Sequence, residues 1–232
     1  TSCWQRVDGI APHMLNFLEN HDEQRIASPE FAGDAAKAIP AMVVSAMMST
    51  GAVMIYGGQE LGEAAAGATG FSGDDGRTTI FDYWNIPTIQ RWLGPSGRPS
   101  LARLTPRERA LRRQYRDILD LCCKEPAVAV GRFYDLMYVN FHTPGFNPHT
   151  HYAFLRHHGN DTILVVVNFS GEQCHPSVVI PAHAFDFLGI KQGDVEATDL
   201  LSGTTATLSV APDTPIRLDL PPYGAVAYKM QL

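Results

Sequence analysis

The sequence predicts an α/β region followed by an all-β region, and three observations support this division. Residues 1–125 combine short apolar runs with helical spacing, whereas residues 126–232 contain short β-type runs between Gly, Pro, Asn and Asp. The chain has 232 residues, 45% of them hydrophobic, which is enough for one large core or two small ones. We therefore predict a domain with a parallel sheet over 1–125 and an antiparallel β-sandwich over 126–232.

The first elements of the chain are predicted to be a strand, a helix and a second strand. An apolar run over 13–18 ends in a polar cluster. A helix should follow from the N-cap Asp34, with a kink or a late start at Pro40 and with Gly51 just beyond its end. The continuous apolar run 52–56 is typical of a parallel strand buried on both faces.

A second helix is predicted to begin at a capping box and to end at a proline. Thr105 and Glu108 have the spacing of that box, Pro106 lies at the first helical position, and Pro126 marks the end. The order strand, helix, strand, helix indicates a parallel sheet or a (β/α) barrel. Two strands cannot close a barrel, so the sheet is expected to be incomplete.

The C-terminal region is predicted to contain nine short strands separated by turn residues. Their spacing is typical of an antiparallel sandwich. The predicted strands lie near 128–134, 136–141, 151–158, 162–169, 176–181, 194–199, 205–210, 215–220 and 224–231.

Composition excludes several classes of partner. The formal net charge is −6 and no basic stripe is present, so we expect no nucleic-acid binding. No apolar run is long enough to cross a bilayer, so we expect no membrane insertion. The cysteines have no zinc-site spacing and are expected to be reduced and mostly buried thiols: Cys3, Cys122, Cys123 and Cys174. Because the chain starts at Thr1 rather than Met, we expect a processed or truncated N-terminus.

Three polar residues, Asn20, His21 and Asp22, follow the first predicted strand directly. In a (β/α) barrel, active sites are built at the C-terminal ends of the strands. A carboxylate beside an imidazole would hold sugar hydroxyls through charge-assisted hydrogen bonds. The same residue types also favour turns and helix caps. From their position alone, these three residues can be interpreted either as a sugar-binding site or as a structural turn.

Segments along nearly the whole chain resemble the α-amylase family. Residues 17–22, Phe-Leu-Glu-Asn-His-Asp, resemble the motif that ends barrel strand 7. Residues 55–62 resemble the strand 8 motif, although Gly57 stands where an aromatic residue is common, and residues 220–226 resemble the last strand of the family's β-sandwich. The resemblance implies the last two βα units of a (β/α)8 TIM barrel, followed by the C-terminal sandwich of a glycoside hydrolase.

The resemblance also implies roles for four matching residues. Asp22 is the carboxylate that stabilises the transition state, and His21 hydrogen-bonds the same sugar. Asn20 is assigned to the substrate site as a positioning residue, and Glu60, beside Gln59, to the pocket wall. The implied substrates are α-linked glucans or α-glucosides, cleaved with retention. The resemblance implies no metal ligand among these residues and no cofactor, and leaves open whether the complete enzyme binds calcium.

The resemblance also tells which groups this chain lacks. In the family, the nucleophile and general acid come from strands 4 and 5, and only 19 residues precede Asn20. We therefore expect the chain alone to be inactive. Transferases of the family share these motifs, and a non-catalytic carbohydrate-binding or assembly module is a second hypothesis. Uncovered strand faces lead us to expect self-association, or a rearranged N-terminal half packed on the sandwich.

Further polar and aromatic groups favour structural roles. Five histidines gather in the β region, where a proline-containing loop is a simpler interpretation than a metal site: His142, His149, His151, His157 and His158. The Gly-rich segment 67–75 is predicted to be a pocket-edge loop rather than a cation site. Aromatic residues at 81, 83, 84 and 92 are predicted to pack rather than stack on sugars. Asp135 follows residues in the wrong order for the family's nucleophile motif, which indicates a strand and a turn.

Overall fold

The computed structural model describes residues 2–66, 75–78, 81 and 85–232. Its α-helices are α1 (Ser2–Val7), α2 (Ile39–Met47), α3 (Pro87–Leu93), α4 (Pro106–Lys124), α5 (Pro126–Ala129), α6 (Met137–Asn140) and α7 (Ala182–Leu188). Its strands are β1 (Asn16–Phe17), β2 (Val53–Met54), β3 (Arg132–Asp135), β4 (His151–His158), β5 (Asp161–Asn168), β6 (Ser177–Val179), β7 (Gly193–Asp199), β8 (Thr205–Val210), β9 (Pro215–Arg217) and β10 (Ala225–Gln231). Within these residues, no helix is both long enough and apolar enough to cross a membrane.

The predicted strand, helix and strand at the start of the chain are confirmed. The second strand is not buried on both faces as predicted, because Val53 and Met54 are only half-buried. Strands β1 and β2 pair in parallel, with Asn16 opposite Val53, and α2 connects them. The late start of that helix is also confirmed: Asp34 caps a 3-10 turn by accepting from the Ala36 amide at 2.9 Å, and α2 begins only at Ile39.

The predicted role of Gly51 is wrong. Helix α2 ends at Met47, and its cap is Met48. Gly51 instead lies where two backbone segments approach each other, because a Cβ there would meet the carbonyl oxygens of Met14 at 2.5 Å and Ala11 at 2.7 Å. Only glycine fits this approach, which places β2 beside the segment that leads into β1.

Helix α4 begins and ends as the sequence predicts. Thr105 Oγ1 accepts from the Glu108 amide at 3.2 Å, and Glu108 Oε2 accepts from the Thr105 amide at 2.7 Å. Pro106 occupies the first turn, and the helix stops at Lys124, two residues before Pro126. These reciprocal bonds satisfy the amides that a helix start leaves open.

The C-terminal region is built on a six-stranded sheet with the order β3-β4-β5-β10-β7-β8. Every pairing in it is antiparallel, which confirms that part of the prediction. Strands β6 and β9 form a separate antiparallel pair. The second layer over the large sheet therefore contains both strands and a helix, because α7 packs beside this short pair.

The central strands β4 and β5 of the six-stranded sheet are covered on both faces. On one face, Leu155 and Leu164 pack with the residues of β6, β9 and α7. On the other, Phe154 and Val165 pack against the apolar faces of α2 and α4. The N-terminal half thus packs on the sheet, and the core crosses the boundary predicted at 125/126.

Two further predictions are wrong. The predicted strand 136–141 contains helix α6, because Asn140 Nδ2 donates back to Leu136 O and across to Val179 O, both at 2.9 Å. These bonds fix a helical turn against β6 in place of a ladder. Among the described thiols, Cys123 is exposed and Cys122 and Cys174 are half-buried, so mostly buried thiols are not found.

Candidate functional site

The predicted Asn20–Asp22 motif forms a tight turn after β1. Asn20 Oδ1 accepts from the amides of Asp22 at 2.8 Å and Glu23 at 2.9 Å. This is an Asx-type turn, in which the side chain takes the place of a backbone acceptor. Asn20 therefore shapes the turn.

The turn presents His21 and Asp22 to solvent as a pair. Their side chains are 39% and 71% exposed, and His21 Nε2 lies 3.5 Å from Asp22 Oδ1. An exposed carboxylate beside an imidazole offers acceptors and a donor to a polar ligand. The structure brings these two predicted site residues together.

A buried ion pair closes both ends of this turn. Glu19 is 2% exposed and Arg25 is 0% exposed, and Arg25 Nη1 donates to Glu19 Oε2 at 2.9 Å. The other oxygen, Glu19 Oε1, accepts from the Ile26 amide at 2.7 Å. The residues before and after Asn20, His21 and Asp22 are thus fastened to each other.

Arg25 also connects the turn to two other segments. Its Nη2 donates to Gly57 O at 2.8 Å, just after β2, and its Nε donates to Thr78 Oγ1 at 2.9 Å. Its guanidinium lies 4.1 Å from the centroid of the Tyr56 ring. A single side chain therefore holds the ends of both parallel strands and the segment 75–78 in one arrangement.

Burial makes this ion pair sensitive to the loss of either partner. Desolvation raises the pKa of the Glu19 carboxyl above its usual range, and the charge of Arg25 and the Ile26 amide oppose that rise. Without Arg25, a carboxylate at this position would have no compensating charge, which is a costly arrangement.

Glu60, which the sequence assigns to the pocket wall, lies in a different cavity. This cavity has a volume of about 370 Å³, and its lining residues are Ile55, Glu60, Arg112, Tyr115, Arg116, Leu119 and Asp120. Within the described part of the chain, Glu60 Oε2 and Arg112 Nε are buried without hydrogen-bond partners. The structure therefore places Glu60 among residues of α4, whereas His21 and Asp22 are not among the lining residues.

The neighbouring Gln59 has a structural role. Its Oε1 accepts from the Tyr56 amide and its Nε2 donates to Tyr115 Oη, both at 3.2 Å. Burial raises the pKa of Tyr115 to about 12, so the phenol stays protonated at neutral pH. Gln59 thus joins the segment after β2 to helix α4.

Sequence reasoning missed Glu19 and Arg25 as parts of this site. The available signal was a pair of opposite charges that flank the motif, with Glu19 directly before Asn20 and Arg25 three residues after Asp22. Glu63 was missed as well: it is buried and accepts from Thr88 Oγ1 at 2.6 Å and from the Ala65 amide at 2.8 Å. These contacts hold the start of the long connection after β2.

The other histidine and aromatic predictions have mixed outcomes. His151 Nδ1 accepts from the Asn147 amide at 3.1 Å, and His157 Nδ1 lies 3.0 Å from Thr162 Oγ1, in structural roles. Phe81 is exposed, and Trp92 is half-buried under Arg112. The predictions for 67–74 and for 82–84 lie outside the described residues.

No protein-family model matches the sequence, and no curated protein matches it. Solved structures of α-amylase-family enzymes share its fold. An α-amylase from Geobacillus thermoleovorans in complex with acarbose is 17% identical, with a TM-score of 0.64 over 100% of this chain and 42% of its own. AmyP in complex with maltose is 18% identical, with a TM-score of 0.60 over 98% of this chain and 43% of its own.

A trehalose-6-phosphate hydrolase from Bacillus licheniformis is 15% identical, with a TM-score of 0.57 over 98% of this chain and 46% of its own. The chain thus spans less than half the length of each of these three structures. At such identities, the comparison establishes the fold and not the chemistry. The predicted resemblance to the α-amylase family is confirmed at that level.

Proposed function

We propose that this chain is the C-terminal portion of an α-amylase-family glycoside hydrolase that acts on α-linked glucans or α-glucosides. The observation that carries the proposal is the His21–Asp22 pair, which the Glu19–Arg25 ion pair holds exposed at the C-terminal end of a parallel strand. This is the end of the strands where (β/α) barrels build their active sites. The complexes of AmyP with maltose and with maltotriose support this substrate class.

In the proposed site, Asp22 binds the sugar at the cleavage point and stabilises its distorted form. A carboxylate accepts hydrogen bonds from two sugar hydroxyls, and these bonds strengthen as positive charge develops on the ring. His21 binds the same sugar from beside Asp22, and Asn20 shapes the turn that orients both. Glu60, which lines the cavity beside α4, is proposed to support the pocket wall from behind rather than to contact the sugar.

Two further carboxyl groups complete the proposed mechanism. A retaining glycosidase needs a nucleophile and a general acid about 5–5.5 Å apart. We assign both to barrel strands upstream of residue 1, and we therefore propose that this chain alone is inactive. No cofactor enters the proposal.

The parallel pair β1–β2 is proposed to be strands 7 and 8 of a (β/α)8 barrel. Two observations support this. Leu15 and Phe17 are exposed beside the pair, although both are large and apolar. Among the described residues, Glu60 Oε2 and Arg112 Nε are buried without partners on the α4 side of β2. Such a surface is suited to neighbouring βα units.

The decisive experiment measures starch hydrolysis by this chain and by the protein encoded when the reading frame is followed upstream. We expect no turnover by the chain and Asp22-dependent turnover by the longer protein. Asp22→Asn should lower kcat by about 100-fold or more, because a developing charge loses its stabilising group. The matched control is Glu23→Gln, which changes an exposed carboxylate one residue away and should leave kcat unchanged. Robust turnover by the chain alone would contradict the proposal.

Two alternatives are retained. An isomaltulose synthase from Erwinia rhapontici shares the fold at 18% identity, with a TM-score of 0.56, so a glycosyl-transferring relative fits the same architecture. Product analysis of the longer protein separates hydrolysis from transfer. A non-catalytic carbohydrate-binding or assembly module is the other alternative. A start codon directly before Thr1 would favour the non-catalytic module, whereas an upstream Gly-x-Arg-x-Asp motif would favour the enzyme.

A further inference from the structure

An exposed cluster of aromatic residues lies on the C-terminal region, on elements that do not include the Asn20–Asp22 turn. Tyr138 on α6 and Phe187 on α7 are 51% and 44% exposed. Tyr134, on β3, lies between them, with its ring centroid 6.4 Å from Tyr138 and 5.8 Å from Phe187. His183 is exposed and its ring centroid lies 5.8 Å from that of Tyr134. We call these four residues the aromatic cluster.

A chain of two hydrogen bonds runs through the aromatic cluster. Tyr134 Oη lies 2.7 Å from Tyr138 Oη and 2.8 Å from His183 Nδ1. Burial and the neighbouring Tyr138 raise the pKa of Tyr134, so its hydroxyl stays protonated. With a neutral imidazole, both hydrogen bonds are donated in the same direction, either from His183 towards Tyr138 or from Tyr138 towards His183. Whichever direction they take, one outer end offers a donor to solvent and the other offers an acceptor.

The aromatic cluster is held rigid, and a cation that packs on it, Arg132, is already bound. The Arg132 guanidinium lies 3.9 Å from the centroid of Phe187, and its Nη1 donates to Phe187 O at 2.6 Å. The imidazole of His183 stacks on Phe187 with an interplanar angle of 18°. The cluster therefore offers ring surface, one donor and one acceptor, and the guanidinium that packs on it is committed to Phe187. This combination suits a neutral ligand that has apolar faces and hydroxyl groups.

We propose that the aromatic cluster is a binding surface for an α-linked glucan. A pyranose ring has an apolar face of C–H groups that can lie on an exposed ring, and a rim of hydroxyls that both donate and accept. Tyrosine rings supply such surface at a low entropic cost, and fixed rings lose little further freedom on binding. The choice of an α-glucan rests on the proposed function, whereas the preference for a neutral polyhydroxyl ligand rests on the cluster itself.

The test is co-sedimentation of this chain with insoluble starch. Tyr138→Ala and His183→Ala should each weaken binding by about fivefold or more, because each removes ring surface and one end of the hydrogen-bond chain. Tyr138→Phe keeps the ring and should weaken binding less than Tyr138→Ala. The matched control is Phe169→Ala, which removes a comparably exposed ring just after β5. Thermal unfolding of every variant verifies that the fold is intact.

Several outcomes would overturn this assignment. One is that the chain does not sediment with starch, and another is that Tyr138→Ala and His183→Ala bind starch as well as the parent does. A third is that Phe169→Ala loses as much starch binding as these two variants, and a fourth is that the chain binds cellulose as well as it binds starch. A dimer that Tyr138→Ala converts to monomers, without starch binding, would show an interface between copies instead. Failure of hydrolysis by the longer protein would contradict the proposed function and leave this binding measurement intact. Starch binding that does not depend on Tyr138 would contradict only the cluster.

Discussion

The N-terminal and C-terminal regions each bury one arginine, and they hold it in different ways. Arg25 is paired with the carboxylate of Glu19. Arg156, on β4, is held by backbone carbonyls: Ala127 O at 3.1 Å, Met48 O at 3.1 Å, Val128 O at 2.7 Å and Gly131 O at 2.8 Å. Burial lowers the pKa of Arg156 to about 10, so it remains charged at neutral pH.

Arg25 stabilises contacts within one region, whereas Arg156 connects the two regions. Arg25 joins segments that all belong to the N-terminal region, whose two parallel strands have two residues each. Arg156 joins the end of α2 to the sheet of the C-terminal region, whose central strands have eight residues each. The N-terminal region therefore depends on polar contacts and on the neighbouring sheet, whereas the C-terminal region depends on its own core.

The largest expected effect is that of Arg156→Met. Four carbonyls would lose a charged donor at the junction of the two regions, so the free energy of unfolding should fall by about 4 kcal/mol. Urea denaturation followed by circular dichroism measures this. Arg156→Lys keeps the charge but reaches fewer carbonyls, and should lose less. A methionine variant as stable as the parent would refute the role of Arg156.

A smaller effect, about 3 kcal/mol, is expected for Arg25→Met at pH 7. The buried Glu19 carboxylate loses its partner, but the turn can open locally to hydrate it. Because burial already raises the pKa of Glu19, the variant should regain stability as the pH falls and the carboxyl binds a proton. Hydrogen exchange should show faster opening over 19–26 than in β4 and β5.

The double variant Glu19→Leu/Arg25→Met is the control for that experiment. It removes both charges, so it should recover at least half of the stability that Arg25→Met loses. Recovery would identify the unpaired carboxylate as the cause. If the double variant were less stable than the single one, the neutralisation argument would fail.

The smallest effect concerns His151 and pH. Burial lowers the pKa of His151, and its Nδ1 accepts from the Asn147 amide, so protonation in the folded state is disfavoured. The stability from this group is present above the unfolded pKa of about 6.5 and is lost as the pH falls towards the folded pKa. His151→Asn keeps an acceptor that does not titrate, and should reduce the loss between pH 7.5 and pH 5 by about 1 kcal/mol. Urea titrations of the parent and of the variant at the two pH values measure this difference.

Much of the fold could be predicted where local signals and packing agree. The capping box at Thr105 and the apolar run of β5 each specify one structure, and both are observed. Segment 136–141 has residues that favour strands, yet the side chain of Asn140 fixes a helical turn through contacts with β6. A contact with a distant segment decided the outcome there, and nothing in the local sequence reports it.

The candidate site shows the same limit. Asn20, His21 and Asp22 are adjacent in sequence, so a motif identifies them together. The pairing of Glu19 with Arg25 and the contacts of Arg25 with Gly57 and Thr78 arise only when β1 and β2 lie side by side. Glu60 lies close to β2 in sequence, but the helix that packs there determines which cavity it lines.

The central strands of the large sheet are covered on both faces. This burial restricts the positions at which recombination can divide the protein without exposing its core. A cut between residues 125 and 126 would pass through one continuous core, because Phe154 and Val165 pack against Met42 and Tyr115. A segment inherited from 126 onward would expose the face that α2 and α4 now cover. Helices α2 and α4 and the sheet are therefore expected to be exchanged between proteins as one module, with the crossover point upstream of Ile39.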